Sequence, residues 1–183
     1  PINVSTEDFA ELRNDSDYRL TDHAFMDFAE PQTFITDVRK AIEDKKFAPS
    51  FEKFKESLMY ANPFSIITAR GTPPSAIKEG VRLLIGMTFQ PSEVKKMLDS
   101  IENSYPSTSD MSMEEKIDFY LSQNEYSPVT SPEFKEKFGL ASDADRPEEG
   151  KKIALRDYVN KVVVGAKKLT DGDYDRLSIG FSD

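Results

Sequence analysis

Apolar positions along the chain follow two spacings, and the sharpest change between them falls between Asn62 and Pro74. Phe64, Ile66 and Ile67 make a short apolar run bounded by Pro63 and Gly71, the pattern of a covered parallel strand. Beyond it, Thr72 is placed to cap, and Pro73 and Pro74 are placed to fill a first helical turn, where missing backbone donors cost little. Ile77, Val81, Leu84 and Ile85 then return at helical spacing. The stretch predicts a strand, tight loop and helix unit of an α/β sheet, with 64–68 a central, buried, parallel strand and the helix from Pro74 packed on it.

Helical spacing governs most of the remainder. Residues 1–4 predict the tail of a strand, Ser5 and Asp8 stand at capping-box spacing before Phe9 and Leu12, and a second short helix starts at Thr21 and Asp22 and carries Phe25 and Phe28. Residues 31–46 carry Phe34, Ile35, Val38 and Ile42 on one face, and Pro49 and Ser50 open a helix with Phe51, Phe54 and Leu58. Pro91, Ser92 and Glu93 head a helix with Val94, Met97, Leu98 and Ile101. Ser112 and Glu115 form a capping box before Ile117, Tyr120 and Leu121. Residues 91–121 therefore predict a helical cap or excursion, without strands, lying over one end of the sheet. Residues 126–134 predict an extended piece in which Ser131 caps a helix with Pro132 first and Phe134 and Phe138 inward. The acidic stretch 142–150 predicts a loop, Lys151 and Lys152 head a helix, Asp171 and Gly172 make a turn, and 177–183 predict a strand.

Length and charge narrow this picture. A chain of 183 residues builds one core of ordinary size, so residues 1–183 are expected to form a single domain with an insertion. A net charge of -9 argues against nucleic acid as the main partner and leaves room only for a local basic patch. No apolar run approaches the roughly 20 residues of a membrane span. The absence of Cys excludes disulfides and thiol chemistry and is consistent with a cytoplasmic protein. His23, the sole histidine, excludes a histidine-based metal site. Asp171, Asp173 and Asp175 have the alternate acids of a calcium loop, but Arg176 and Ser182 stand where that loop requires glycine and an acid.

Candidate chemistry gathers at the end of the 64–68 strand. Ligands of open α/β sheets sit beyond the carboxyl ends of the strands. The Thr68 hydroxyl, Ala69, Arg70, the amides of the Gly71 turn and a helix start could together hold a phosphate oxygen. The same residues also suit a plain strand end, with Arg70 solvated and Gly71 permitting the turn.

A strand running into Thr68-Ala69-Arg70-Gly71, a helical section, Lys151-Lys152 at a helix head and a strand ending Gly180-Phe181-Ser182-Asp183 resemble the second, third and fourth motifs of the haloacid dehalogenase superfamily of phosphatases. The resemblance implies an α/β, Rossmann-like three-layer sandwich with a central parallel sheet and a helical insertion. It also implies that Thr68 binds a transferred phosphoryl group, that Lys151 or Lys152 neutralises it, that Asp183 holds Mg2+, and that these side chains converge. The substrate would be a phosphate ester, either a small molecule or a phosphorylated end. The superfamily's first motif, Asp-x-Asp followed by Thr or Val, carries the nucleophile. Residues 1–62 do not supply it, since Ile35-Thr36-Asp37-Val38 has one acid in a helical pattern. Either sequence not shown here supplies that motif, or the chain is a non-catalytic interaction or assembly protein that keeps the scaffold and takes a protein partner.

Overall fold

The computed structural model describes residues 29–140 and 147–170, with single positions at 12, 15, 17 and 180, and only the backbone of 166–170. Two short strands, Ser65–Thr68 (β1) and Glu125–Pro128 (β2), pair in parallel, Ser65 opposite Glu125 and Thr68 opposite Pro128. Parallel pairing requires a long crossover, and residues 69–124 supply it as helices. The described chain is mostly helical around this small sheet. In order the helices are α1 (Pro31–Glu43), α2 (Phe51–Met59), α3 (Pro74–Thr88), α4 (Pro91–Ser104), α5 (Met113–Ser122), α6 (Pro132–Lys137) and α7 (Pro147–Thr170).

Successive side chains of a strand point to opposite faces, and β1 uses both. Phe64 and Ile66 enter the larger core, with Leu58, Val81, Ile85, Met97, Ile101, Tyr120 and Leu121. Ile67 enters a smaller cluster with Val129, Phe134, Ala154 and Ile153. The crossover helices therefore cover one face of the sheet and α6 with α7 the other, while α1 packs along α3. That last contact is close because Gly80 has no side chain, and a Cβ there would lie 2.7 Å from the Phe34 ring.

The parallel strand, the Ser112–Glu115 capping box and the Ser131 cap agree with the sequence reading: Ser112 N–H donates to Glu115 Oε2 at 2.8 Å, and Phe134 N–H donates to Ser131 Oγ at 3.2 Å. Other details differ. All four residues of β1 are half-buried, and among the described residues β1 has β2 as its one neighbour. Thr72 does not cap α3. It is fully buried, and Pro73 holds the N-cap position. The helices of 91–121 contribute no strand, as expected, yet they are walls of the main core: Met97, Ile101 and Ile117 pack against Phe64 and Val81. Residues 147–150 belong to α7 rather than to a loop, so Lys151 and Lys152 lie a full turn inside the helix. The readings for residues 1–4, for the helix carrying His23 and Phe25 and for the acidic turn at 171–175 lie outside the described residues, as does the strand 177–183 except for Gly180, which is exposed and in no strand.

Candidate functional site

The carboxyl ends of β1 and β2 are joined side by side. Val129 N–H donates to Thr68 O at 2.8 Å, and the Thr130 hydroxyl donates to Ala69 O at 2.8 Å. Beneath them, α7 packs against both strands. Gly150 makes that approach close, since a Cβ there would fall 2.8 Å from Val129 Cβ. A line of contacts thus runs from Thr68 and Ala69, through Val129 and Thr130, to Gly150 and its neighbour Lys151. The glycine brings the α7 backbone against the strand end, and the lysine follows it by one residue.

Thr68 is half-buried, and its Oγ1 accepts from Arg70 N–H at 3.2 Å. Accepting that bond leaves the hydroxyl proton to donate. Ala69 is exposed, and Gly71 is half-buried, with Thr130 Oγ1 and Ala29 Cβ in ordinary contact distance of a Cβ placed on it. Gly71 does not sit in the left-handed region, which among the described glycines only Gly139 occupies. The turn therefore does not require glycine for its backbone angles. Arg70 turns away from the strand end: its Nη2 meets Asp37 Oδ2 at 2.6 Å, and its guanidinium lies 5.1 Å from the centre of the Phe34 ring. Arg70 is thereby a tie between the β1 turn and α1, a partner that residue spacing alone did not reveal.

Of the two lysines, Lys151 is half-buried and Lys152 exposed. Lys151 Nζ lies 3.1 Å from Glu148 Oε1 on the preceding turn of α7. Lys152 instead borders a shallow cavity of about 270 Å³ with Glu149, Ile153 and Arg156. Asp183 lies outside the described residues, so its convergence with Thr68 is not described. The described residues hold no cluster of three or more acid, histidine or cysteine side chains fit for a metal ion. The carboxylates flanking the strand end, Asp37 and Glu148, are committed to Arg70 and Lys151. Asp15 and Asp17 have the acid spacing of a nucleophile motif, but Asp15 N–H bonds back to Leu12 O and Asp17 N–H to Asp15 Oδ1, a turn after a helical residue rather than a strand end.

No protein-family model matches the chain, and no curated protein or solved structure matches it either. No helix among the described residues is long and apolar enough to cross a membrane.

Proposed function

We propose that this chain carries the phosphoryl-holding side of a haloacid dehalogenase-like site, acting on a phosphate ester within a Rossmann-like α/β sandwich. One observation carries the reading: the Thr68 end of β1 is linked through Thr130 and Val129 to the glycine that precedes Lys151. Helices on both faces of the parallel pair support the sandwich. In this reading the Thr68 hydroxyl donates to a phosphoryl oxygen, the amides of Ala69 and Gly71 face it, and Lys151 exchanges Glu148 for the anion. Charge neutralisation of this kind is the main demand of phosphoryl transfer. Lys151 takes that role over Lys152 because it is half-buried and adjoins the glycine contact. Asp183 keeps the Mg2+ role that the motif resemblance implies, and catalysis on this reading requires the nucleophile motif to be supplied by sequence not shown here.

The engagement of Arg70 with Asp37 favours the second reading, a non-catalytic scaffold whose strand end is already internally satisfied. Titration with inorganic phosphate followed by ³¹P NMR separates the two. The enzyme reading expects Thr68→Ala and Lys151→Met each to weaken phosphate binding about tenfold, in line with loss of a charge-assisted hydrogen bond, and Lys152→Met to leave it unchanged. Equal binding by all four proteins would overturn it. The chain alone, with Mg2+ and a generic phosphate monoester, is expected to show no turnover, and metal-dependent turnover would place the nucleophile among the residues present.

A further inference from the structure

The turn between α1 and α2 reverses the charge of the molecule. Residues 39–55 hold six lysines and arginines against three acids, Glu43, Asp44 and Glu52, in a chain of net charge -9; Lys55 is paired with Glu93 of α4, and Lys46 lies at the loose distance of 3.8 Å from Asp44. Lys45, Lys46 and Lys53 are all exposed there. At the centre of the turn Phe47 lies on Phe51, ring centres 4.0 Å apart and planes 13° apart, and Phe47 is 39% exposed. Aromatic pairs left to themselves favour offset or edge-to-face packing. A nearly parallel pair with an exposed outer member is a stack that a further flat ring can extend.

The backbone of the turn adds an independent sign. Lys46 N–H bonds to Ala41 O and Lys45 N–H to Ile42 O, closing α1 with Lys45 in the left-handed region at φ 54. Glycine is the usual occupant of that position, because a side chain there is strained. The same closure of α6 uses Gly139 at φ 62, while that of α2 holds the small Ala61 at φ 50; Lys45 is the one long side chain of the three. A lysine held at a glycine position costs stability, and Lys45 stands exposed two residues before Phe47 in the same turn.

We propose that this turn binds single-stranded nucleic acid, a base stacking on Phe47 and backbone phosphates meeting Lys45, Lys46 and Lys53. Exposed bases are what single strands offer and duplexes do not, and aromatic stacking beside lysines is how such strands are held without sequence readout. The site is distinct from the strand end. Ala29, just before α1, touches the Gly71 position, and the thirteen residues of α1 then carry the chain about 20 Å further.

Fluorescence anisotropy with the full chain tests this, using a labelled thymidine oligonucleotide of about twelve nucleotides and an abasic strand of equal length. Both carry hydroxyl ends, and Mg2+ is omitted, so the strand-end site is not engaged. The thymidine strand is expected to bind more tightly than the abasic one, with a log-log salt slope of about -2 for three lysines. Phe47→Ala should weaken thymidine binding about tenfold and erase the difference between strands, while Phe47→Trp should retain it. Lys45→Gly relieves the backbone strain, so its loss of about 0.7 in slope cannot be ascribed to unfolding. Equal affinity for the two strands, indifference to Phe47→Ala, or no binding at an ionic strength of about 0.01 M would each overturn the proposal. Phe47-dependent binding to phosphatidylserine vesicles without oligonucleotide binding would overturn it in favour of a bilayer.

Discussion

Tyr120 shows how single side chains hold the sheet to its crossover. It is fully buried, its ring meets Phe64 edge-on, and its hydroxyl donates to Asn62 O at 2.7 Å. Burial pushes its phenol pKa far up, with smaller contributions from Tyr105, Tyr126 and Tyr158. The group is therefore a neutral donor at every working pH. Tyr120→Phe keeps the ring and removes the donor, leaving the Asn62 carbonyl short of a partner, so a loss of about 1–2 kcal/mol in urea unfolding is expected. The apolar repeat around Ile117 already placed Tyr120 in a core, but spacing carries no information about a hydroxyl's partner 58 residues away. Arg70 teaches the same limit from the other side. Its neighbours in sequence suggested an anion, and folding delivered Asp37 and Phe34 from a separate helix.

Among the elements, helix beginnings were legible and helix ends were less so. Proline stands at the first position of α1, α3, α4, α6 and α7, where its missing donor and fixed φ suit the fold, and the Ser112 and Ser131 caps act as their spacing predicts. The ends of α1, α2 and α6 share one closure, with the amides of Lys46, Asn62 and Leu140 reaching back to Ala41, Ser57 and Lys135. Only the last has glycine in the left-handed position, Lys45 and Ala61 filling it in the other two. Replacing Lys45 with glycine should stabilise the chain by about 0.5–1 kcal/mol, because the side chain is exposed and only strain is removed. Ala61→Gly should be nearly neutral in the same thermal or urea assay: Ala61 is 3% exposed, and losing a buried methyl worth about 0.8 kcal/mol offsets the relief. A clear gain for Ala61→Gly and none for Lys45→Gly would contradict this account. The start of α7 was misplaced because acids at 148 and 149 looked like a solvated loop, whereas acids in a first turn also complement a helix dipole.

Across the whole molecule, α7 is held to the sheet by charge as well as by Ile153 and Ala154. Lys161 bridges Glu125 and Asp157, and Lys137 of α6 lies 3.3 Å from Asp157. Burial by itself raises the Asp157 pKa, but hydrogen bonds from Lys161 and Lys137 outweigh it and leave the carboxyl below its ordinary 3.8. A carboxylate depressed on folding adds stability that is present above the unfolded value and is lost as pH falls through the lower folded one. Amide exchange within α7 should therefore accelerate as pH falls below about 4, beyond the intrinsic pH dependence of exchange, and Lys161→Met should remove most of that extra change. The network is largely exposed, so its total contribution is about 1 kcal/mol or less, and an unchanged exchange profile in Lys161→Met would show that α7 is held by its apolar contacts alone. By itself the sequence determined that the 64–68 run is a strand, that it hands over to helices, and where most helices begin, because these depend on neighbours within one or two turns. Only the tertiary structure decided that β2 is its partner, that Gly150 draws α7 against the strand end, and that Arg70 faces α1. Those facts depend on residues dozens of positions apart, and no local pattern encodes which distant surface a side chain will meet.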